Sequence, residues 1–120
     1  MTQAVSPFSS SFSSPDNTNQ YWQGAPVVWA IGGSDCTGGA GIQADTKTIH
    51  NLGGLPNTII TAVTAQNAGG VKEINAVSDE VFRSQWSALE QAAMPSTIKV
   101  GMLANEGQVN TLITLLTELN

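Results

Sequence analysis

An apolar run from Pro26 to Ile31 passes directly into Gly32-Gly33-Ser34-Asp35-Cys36-Thr37-Gly38-Gly39-Ala40-Gly41-Ile42-Gln43-Ala44-Asp45, a segment with five glycines and two carboxylates. A junction of this kind reads as a strand running into a ligand loop; glycines alone would equally make a tight structural turn, and the carboxylates are what favour the ligand loop. Glycine admits left-handed backbone angles and leaves main-chain N–H groups open that a Cβ would screen. From about Ala40 the segment reads as helical, and the orphan N–H groups of that first turn make a weakly positive mouth. Strand, glycine loop and helix in this order are found at nucleotide sites, yet the details decide against the two commonest. A Walker A loop closes on Gly-Lys-Ser/Thr, whereas this loop closes on Gly38-Gly39-Ala40-Gly41 and holds no lysine or arginine. The dinucleotide fingerprint is met only in its permissive form, with Ala44 in place of the third glycine. Its acidic residue at the end of the second strand has no counterpart, since Gln66 stands there.

Beyond the loop, apolar strand-like runs alternate with helical patterns. Val27 to Ile31, Thr58 to Ala65, Val71 to Val77 and Ile98 to Gly101 read as strands, the first, second and last of them central. Helices are expected from about Gly41 to Leu52, closed by Gly53-Gly54, and from a Ser78-Asp79 cap to Pro95 with Phe82, Trp86, Leu89 and Ala93 inward. A last helix opens at Asn105 or Glu106, with Val109, Leu112, Ile113, Leu116 and Leu119 inward. Repeated β then α with apolar strands predicts an α/β fold, a mostly parallel sheet with helices on its faces.

Ligands of open α/β sheets sit outside the carboxyl ends of the strands. Three such ends carry unusual residues: Gly33-Ser34-Asp35, Ala65-Gln66-Asn67 and Gly101-Met102-Leu103-Ala104-Asn105. Gln66 brings an acceptor and two donors, suited to a heteroaromatic edge that both donates and accepts. Met102 offers a polarizable thioether for a flat ring, or simply fills core. Ile42, Asp45, Ile49 and Leu52 follow at i, i+3, i+7 and i+10, which puts Asp45 on an apolar stripe, where a carboxylate has to be paired or hydrogen-bonded. Either Asp45 braces the glycine loop by accepting its N–H groups, or it faces a cleft and accepts from a substrate. Cys36 reads as a bystander for want of a histidine nearby in sequence, and His50 as a surface residue beside a helix C-terminus. Lys47 and Lys99 are expected to be solvated or ion-paired.

The 120 residues amount to one small domain or part of a larger one, with a net charge of −5 and four scattered basic residues, which argues against nucleic acid and anionic membranes as partners. One cysteine and one histidine leave no disulfide framework and no structural zinc site, and the lone cysteine fits a cytoplasmic protein. Residues 1–24 crowd Ser6, Ser9, Ser10, Ser11, Ser13 and Ser14 around a single charge, Asp16, and read as a disordered leader ahead of a folded part from residue 25 to 120. This leader has neither the cationic start and apolar run of a secretory signal nor an arginine for a transit peptide, and no stretch is long enough to cross a bilayer.

Four separated blocks carry a resemblance. Ala30-Ile31-Gly32-Gly33-Ser34-Asp35, Gly38 to Thr48, Ile60-Thr61-Ala62-Val63-Thr64-Ala65-Gln66-Asn67 and Lys99-Val100-Gly101-Met102-Leu103-Ala104 occur in the order and spacing of the hydroxymethylpyrimidine/phosphomethylpyrimidine kinases of thiamine biosynthesis, which the chain resembles from Val27 to its end. The resemblance implies a ribokinase-like α/β fold, incomplete at the C-terminus, and ATP-dependent phosphorylation of 4-amino-5-hydroxymethyl-2-methylpyrimidine and then of its monophosphate, with Mg²⁺. By motif position it implies a pyrimidine pocket of Gly33, Ala40, Asp45, Gln66 and Met102, with Thr64 contributing main chain where an aliphatic residue is common in the family. A neutral aminopyrimidine asks for Asp45 or Gln66 and for no cation. The family's ATP pocket, anion hole and catalytic loop lie in a later half with no counterpart here, so no catalytic or metal-binding residue is expected in this chain, and ATP and Mg²⁺ are expected to bind through that other half. A sheet cut midway leaves edges that favour association into homo-oligomers. The alternatives are a pyridoxal kinase of the same superfamily, whose substrate is also a flat ring with a hydroxymethyl group, and a non-catalytic fragment that only binds a metabolite.

Overall fold

The computed structural model describes residues 24–119; the serine-rich leader lies outside the described residues except for Gly24. Four strands and three helices follow in chain order: β1 (Val27–Asp35), α1 (Gly41–Asn51), β2 (Leu55–Asn67), β3 (Gly70–Ala76), α2 (Asp79–Ala92), β4 (Thr97–Val100) and α3 (Glu106–Glu118). They form one sheet in the order β3-β2-β1-β4. β1 pairs in parallel with β2 and with β4, while β3 returns antiparallel along β2. The α/β architecture and mostly parallel sheet expected from the sequence are therefore present. β4, expected to be central, is an edge of the sheet among the described residues, because its only partner is β1.

Alternation along β1 explains the layering. Trp29 and Ile31 point to one face, where Ile59, Phe82, Trp86 and Leu112 close a core under α2 and α3. Trp29 and Trp86 meet edge to face, with ring centroids 5.1 Å apart. Gly32 lies on the opposite face, and a Cβ there would stand 3.7 Å from the Ile42 side chain of α1. Helices thus cover both faces. α1 ends in a Schellman motif: Gly53 takes φ +88°, its N–H donates to the His50 carbonyl, and the Gly54 N–H donates to that of Ile49. Ser78 caps α2 by accepting from the Val81 N–H, and Asn105 caps α3 by accepting from the Gln108 N–H.

Two inward stripes differ from expectation. On α1, Leu52 is 83% exposed, so the stripe ends at Ile49. On α3, Val109, Ile113 and Leu116 are exposed, and the buried positions are Gln108, Thr111 and Leu112, with Leu115 and Leu119 packed against the core. Hydrogen bonds rotate this helix: the Thr111 hydroxyl donates to Asp79 of α2, and Gln108 reaches the backbone of β2. α3 is apolar on two sides, and its polar duties decide which side turns in.

Candidate functional site

The carboxyl ends of β1, β2 and β4 converge, with the start of α1, on a pocket of about 260 Å³. All six residues expected at a site line it: Gly33, Ala40, Asp45, Thr64, Gln66 and Met102. Asp35, Lys99 and the backbone of Gly32, Gly41 and Gly101 complete the wall.

The glycine loop is shaped by Asp35, which is 3% exposed. Its carboxylate accepts from the Thr37 N–H (2.9 Å), the Thr37 hydroxyl and the Ala40 N–H (2.8 Å). These donors, the Thr37 N–H foremost, hold the carboxyl below its ordinary value of 3.8 against an opposing push from burial. Loop bracing therefore falls to Asp35, and of the two roles left open for Asp45 that one is filled elsewhere. An aspartate followed two residues on by a hydroxyl and an N–H is the Asx-turn signature that marks this role in sequence. Gln43 secures the loop from α1, accepting from the Asp35 N–H and donating to the Ser34 hydroxyl, both at 2.8 Å. Gly41 sits at φ +60°, where a Cβ would collide with the Gly33 carbonyl oxygen, so the close approach of α1 to β1 demands glycine.

Asp45 instead pairs with Lys99, whose Nζ lies 2.7 Å from Oδ2, with side-chain exposures of 18% for the aspartate and 47% for the lysine. Lys99, expected to be solvated or ion-paired, is thus ion-paired: the glycine loop has no cation of its own, and β4 supplies this one from 54 residues away. Lys47 is turned back onto the loop, donating to the Gly38 carbonyl at 3.1 Å. On β2, the Thr64 hydroxyl donates to the Ser34 carbonyl and the Gln66 amide donates to Thr64 Oγ1, each at 2.8 Å. Cys36 bridges to Gln66 through its Sγ, 3.1 Å from the Gln66 carbonyl. Met102 sits opposite Gly33, where an added Cβ would lie 2.8 Å from its Cε. Its own carbonyl accepts from the Thr61 hydroxyl at 2.8 Å. His50 does not line the pocket.

Asp35 uses both oxygens on loop donors and Asp45 is held by Lys99, so these residues do not fit a divalent cation or the phosphates of a nucleotide. The pocket instead has an apolar floor, one neutralised ion pair and a glutamine at the rim, which suits a small flat ring with polar edges.

Comparison with known proteins points the same way. The phosphomethylpyrimidine kinase family matches residues 35–120. A probable thiamine biosynthetic bifunctional enzyme, chloroplastic, of Oryza sativa is 42% identical over 87 residues, 72% of this chain and 16% of that protein. The crystal structure of a phosphomethylpyrimidine kinase from Clostridium difficile superposes with a TM-score of 0.76 at 34% identity, over 79% of this chain and 41% of that one. A pyridoxal kinase from Staphylococcus aureus in complex with AMP-PCP superposes with a TM-score of 0.70 at 30% identity, over 80% of this chain and 35% of that one. The match spans 34% of the length of a hydroxymethylpyrimidine/phosphomethylpyrimidine kinase of Streptomyces coelicolor and 14% of that of a relative from Schizosaccharomyces pombe, so the chain covers well under two thirds of these relatives. The chain belongs to the phosphomethylpyrimidine kinase family.

Proposed function

We propose that residues 25–120 form the substrate side of a kinase that phosphorylates 4-amino-5-hydroxymethyl-2-methylpyrimidine and its monophosphate with ATP and Mg²⁺, in thiamine biosynthesis. The observation that carries this reading is the gathering of Gly33, Ala40, Asp45, Thr64, Gln66 and Met102 around one pocket of about 260 Å³. An aminopyrimidine finds hydrogen-bond partners there in Gln66 and Asp45 and a thioether for its face in Met102. On this reading ATP and Mg²⁺ are held by the part of the family fold that the matched region does not span, and no residue of this chain is assigned to phosphoryl transfer. The reading includes a cytoplasmic location, supported by the lone unpaired Cys36, and no membrane partner; among the described residues no helix is long and apolar enough to cross a membrane. Self-association through the open edges at β3 and β4 belongs to it as well.

A second reading, pyridoxal phosphorylation, is favoured by the likeness to the Staphylococcus aureus pyridoxal kinase. Calorimetric titration of the folded chain separates the two. Saturable binding of the aminopyrimidine, tighter than that of pyridoxal, is expected; a folded chain that binds pyridoxal in preference overturns the first reading. ATP-dependent turnover by the purified chain alone would refute the assignment of phosphoryl transfer to other residues.

A further inference from the structure

Thr64 is 5% exposed in the pocket wall, and its hydroxyl stands between two partners. Oγ1 lies 2.8 Å from the Ser34 carbonyl oxygen. A carbonyl has no hydrogen to give, so the hydroxyl proton is committed to that contact. The same Oγ1 lies 2.8 Å from the Gln66 side-chain amide, where it can then only accept. The two ends of an amide are told apart by their hydrogen-bond network, and here the end facing Thr64 has to be the NH₂ group. Oε1, the other end, makes no hydrogen bond among the described residues, and Gln66 lines the pocket. The backbone of Gln66 is held separately, with Cys36 Sγ 3.1 Å from its carbonyl oxygen and 3.5 Å from its nitrogen.

We infer that Thr64 fixes the polarity of Gln66, so that the pocket presents a hydrogen-bond acceptor at this rim and selects flat heteroaromatic rings bearing an amino donor over rings presenting an oxyanion. Thr64 is a positioning residue that acts through Gln66. The inference rests on the aminopyrimidine reading and deepens it. An exocyclic amino group can donate to Oε1, whereas the phenolate oxygen of pyridoxal, ionised at neutral pH, can only accept and finds no donor in Oε1.

The test is calorimetric titration of the full 120-residue chain and its Thr64→Val and Thr64→Ser variants with 4-amino-5-hydroxymethyl-2-methylpyrimidine and with pyridoxal. Valine keeps the shape and drops the acceptor; serine keeps the hydroxyl. Thr64→Val is expected to weaken aminopyrimidine binding about tenfold, the size of one hydrogen bond, and to narrow the preference over pyridoxal by about the same factor. Thr64→Ser restores both. In NMR spectra the Gln66 NH₂ protons exchange with water more slowly in the wild type and Thr64→Ser than in Thr64→Val. An unchanged preference in Thr64→Val overturns the inference and leaves the aminopyrimidine reading standing, while a wild-type chain that prefers pyridoxal overturns both. If the wild type binds neither ring, the substrate reading falls and the exchange rates decide the polarity: a slower wild type supports it, equal rates overturn it.

Discussion

Replacing Gln108 with leucine tests how the pocket is held in place. Gln108 is 2% exposed at the start of α3. Its Nε2 donates to the carbonyls of Thr61 (2.8 Å) and Val77 (3.3 Å), and its Oε1 accepts from the Ala104 N–H (2.8 Å). One side chain thus ties the middle of β2, the end of β3 and the segment after β4 to α3. Leucine fills a similar volume and leaves the Asn105 cap intact, since that bond uses the Gln108 backbone N–H. The Thr61 carbonyl keeps the Val77 N–H as a partner at 2.9 Å, so the main loss falls on the Ala104 N–H and the Val77 carbonyl. A buried group left unpaired costs about 1 to 3 kcal/mol, and the extra apolar surface of leucine returns about 1 kcal/mol. Two groups lose their partner, both half-buried and so toward the lower end of that cost, which less the gain from leucine gives an expected net loss of about 1 to 3 kcal/mol, a sizeable share of a domain stability of about 5 to 15 kcal/mol. Urea unfolding followed by the fluorescence of the buried Trp29 and Trp86 measures it, with an unchanged denaturant slope showing that the native fold is kept. Tm should fall by about 5 to 20 °C. A loss below about 1 kcal/mol would refute the reasoning, because the Ala104 N–H and the Val77 carbonyl would then have found other partners at no cost.

Gly41→Ala places a Cβ against the Gly33 carbonyl at a positive φ and should cost about 2 kcal/mol or more, read by the same unfolding curves, with pocket binding lost; a stability within 0.5 kcal/mol of wild type (about the scatter of a neutral surface change) counts against the close approach. Trp86→Ala empties a site that is 2% exposed and set edge to face against Trp29, and should cost about 3 to 5 kcal/mol together with the near-ultraviolet dichroism of the core. Asp45→Asn removes the pair with Lys99 and should change stability by less than about 1 kcal/mol while weakening aminopyrimidine binding about tenfold; unchanged affinity in titration removes Asp45 from the recognition surface. In acid, Asp35 and Asp79 both have carboxyls held below 3.8, by the Thr37 N–H foremost and by the Thr111 hydroxyl then Arg83. Their stabilisation is therefore complete above the unfolded value and drains away as pH falls through the lower folded ones, so stability measured below about pH 4 should drop less steeply in Asp35→Asn than in the wild type.

Elements whose identity rests on apolar periodicity were legible in the residues: the strand at Val27, the Gly53-Gly54 helix stop and the Ser78 and Asn105 caps all stand where their chemistry points. Part of the pocket rim was legible too: the loop glycines, Asp45, Gln66 and Met102 stand out before any fold is known, whereas Ala40 and Thr64 were implied only by the family resemblance. Which face of α3 turns inward was not, because Val109, Ile113 and Leu116 count the same in an apolar pattern as Leu112 and Leu115. The deciding contacts, Thr111 to Asp79 and Gln108 to Thr61, join positions 32 and 47 residues apart. Glutamine is the residue that such a pattern hides best. Gln43 holds the Asp35 N–H, Gln85 takes both the N–H and the carbonyl of Ile60, and Gln108 holds Ala104. Ile60 lies on the part of β2 that β3 does not reach, and Ala104 lies in the segment between β4 and α3. A long neutral amide satisfies such orphan groups without the desolvation penalty of a charge.

The same non-locality explains the charges of the pocket. Asp35 and Asp45 look alike in sequence, two carboxylates flanking one glycine loop, and the fold gives them opposite tasks. Asp35 is surrounded by donors from its own loop and directs nothing outward; Asp45 meets Lys99, which the parallel pairing of β4 with β1 brings to the same rim. One charge is thus absorbed by local N–H groups and the other cancelled across the pocket. What remains to discriminate between ligands is hydrogen-bond polarity, and the polarity of Gln66 is set by a hydroxyl whose proton is already given to Ser34. A pocket balanced in this way rewards an uncharged ring whose donors and acceptors are in register, and penalises a ring that brings an unmatched charge.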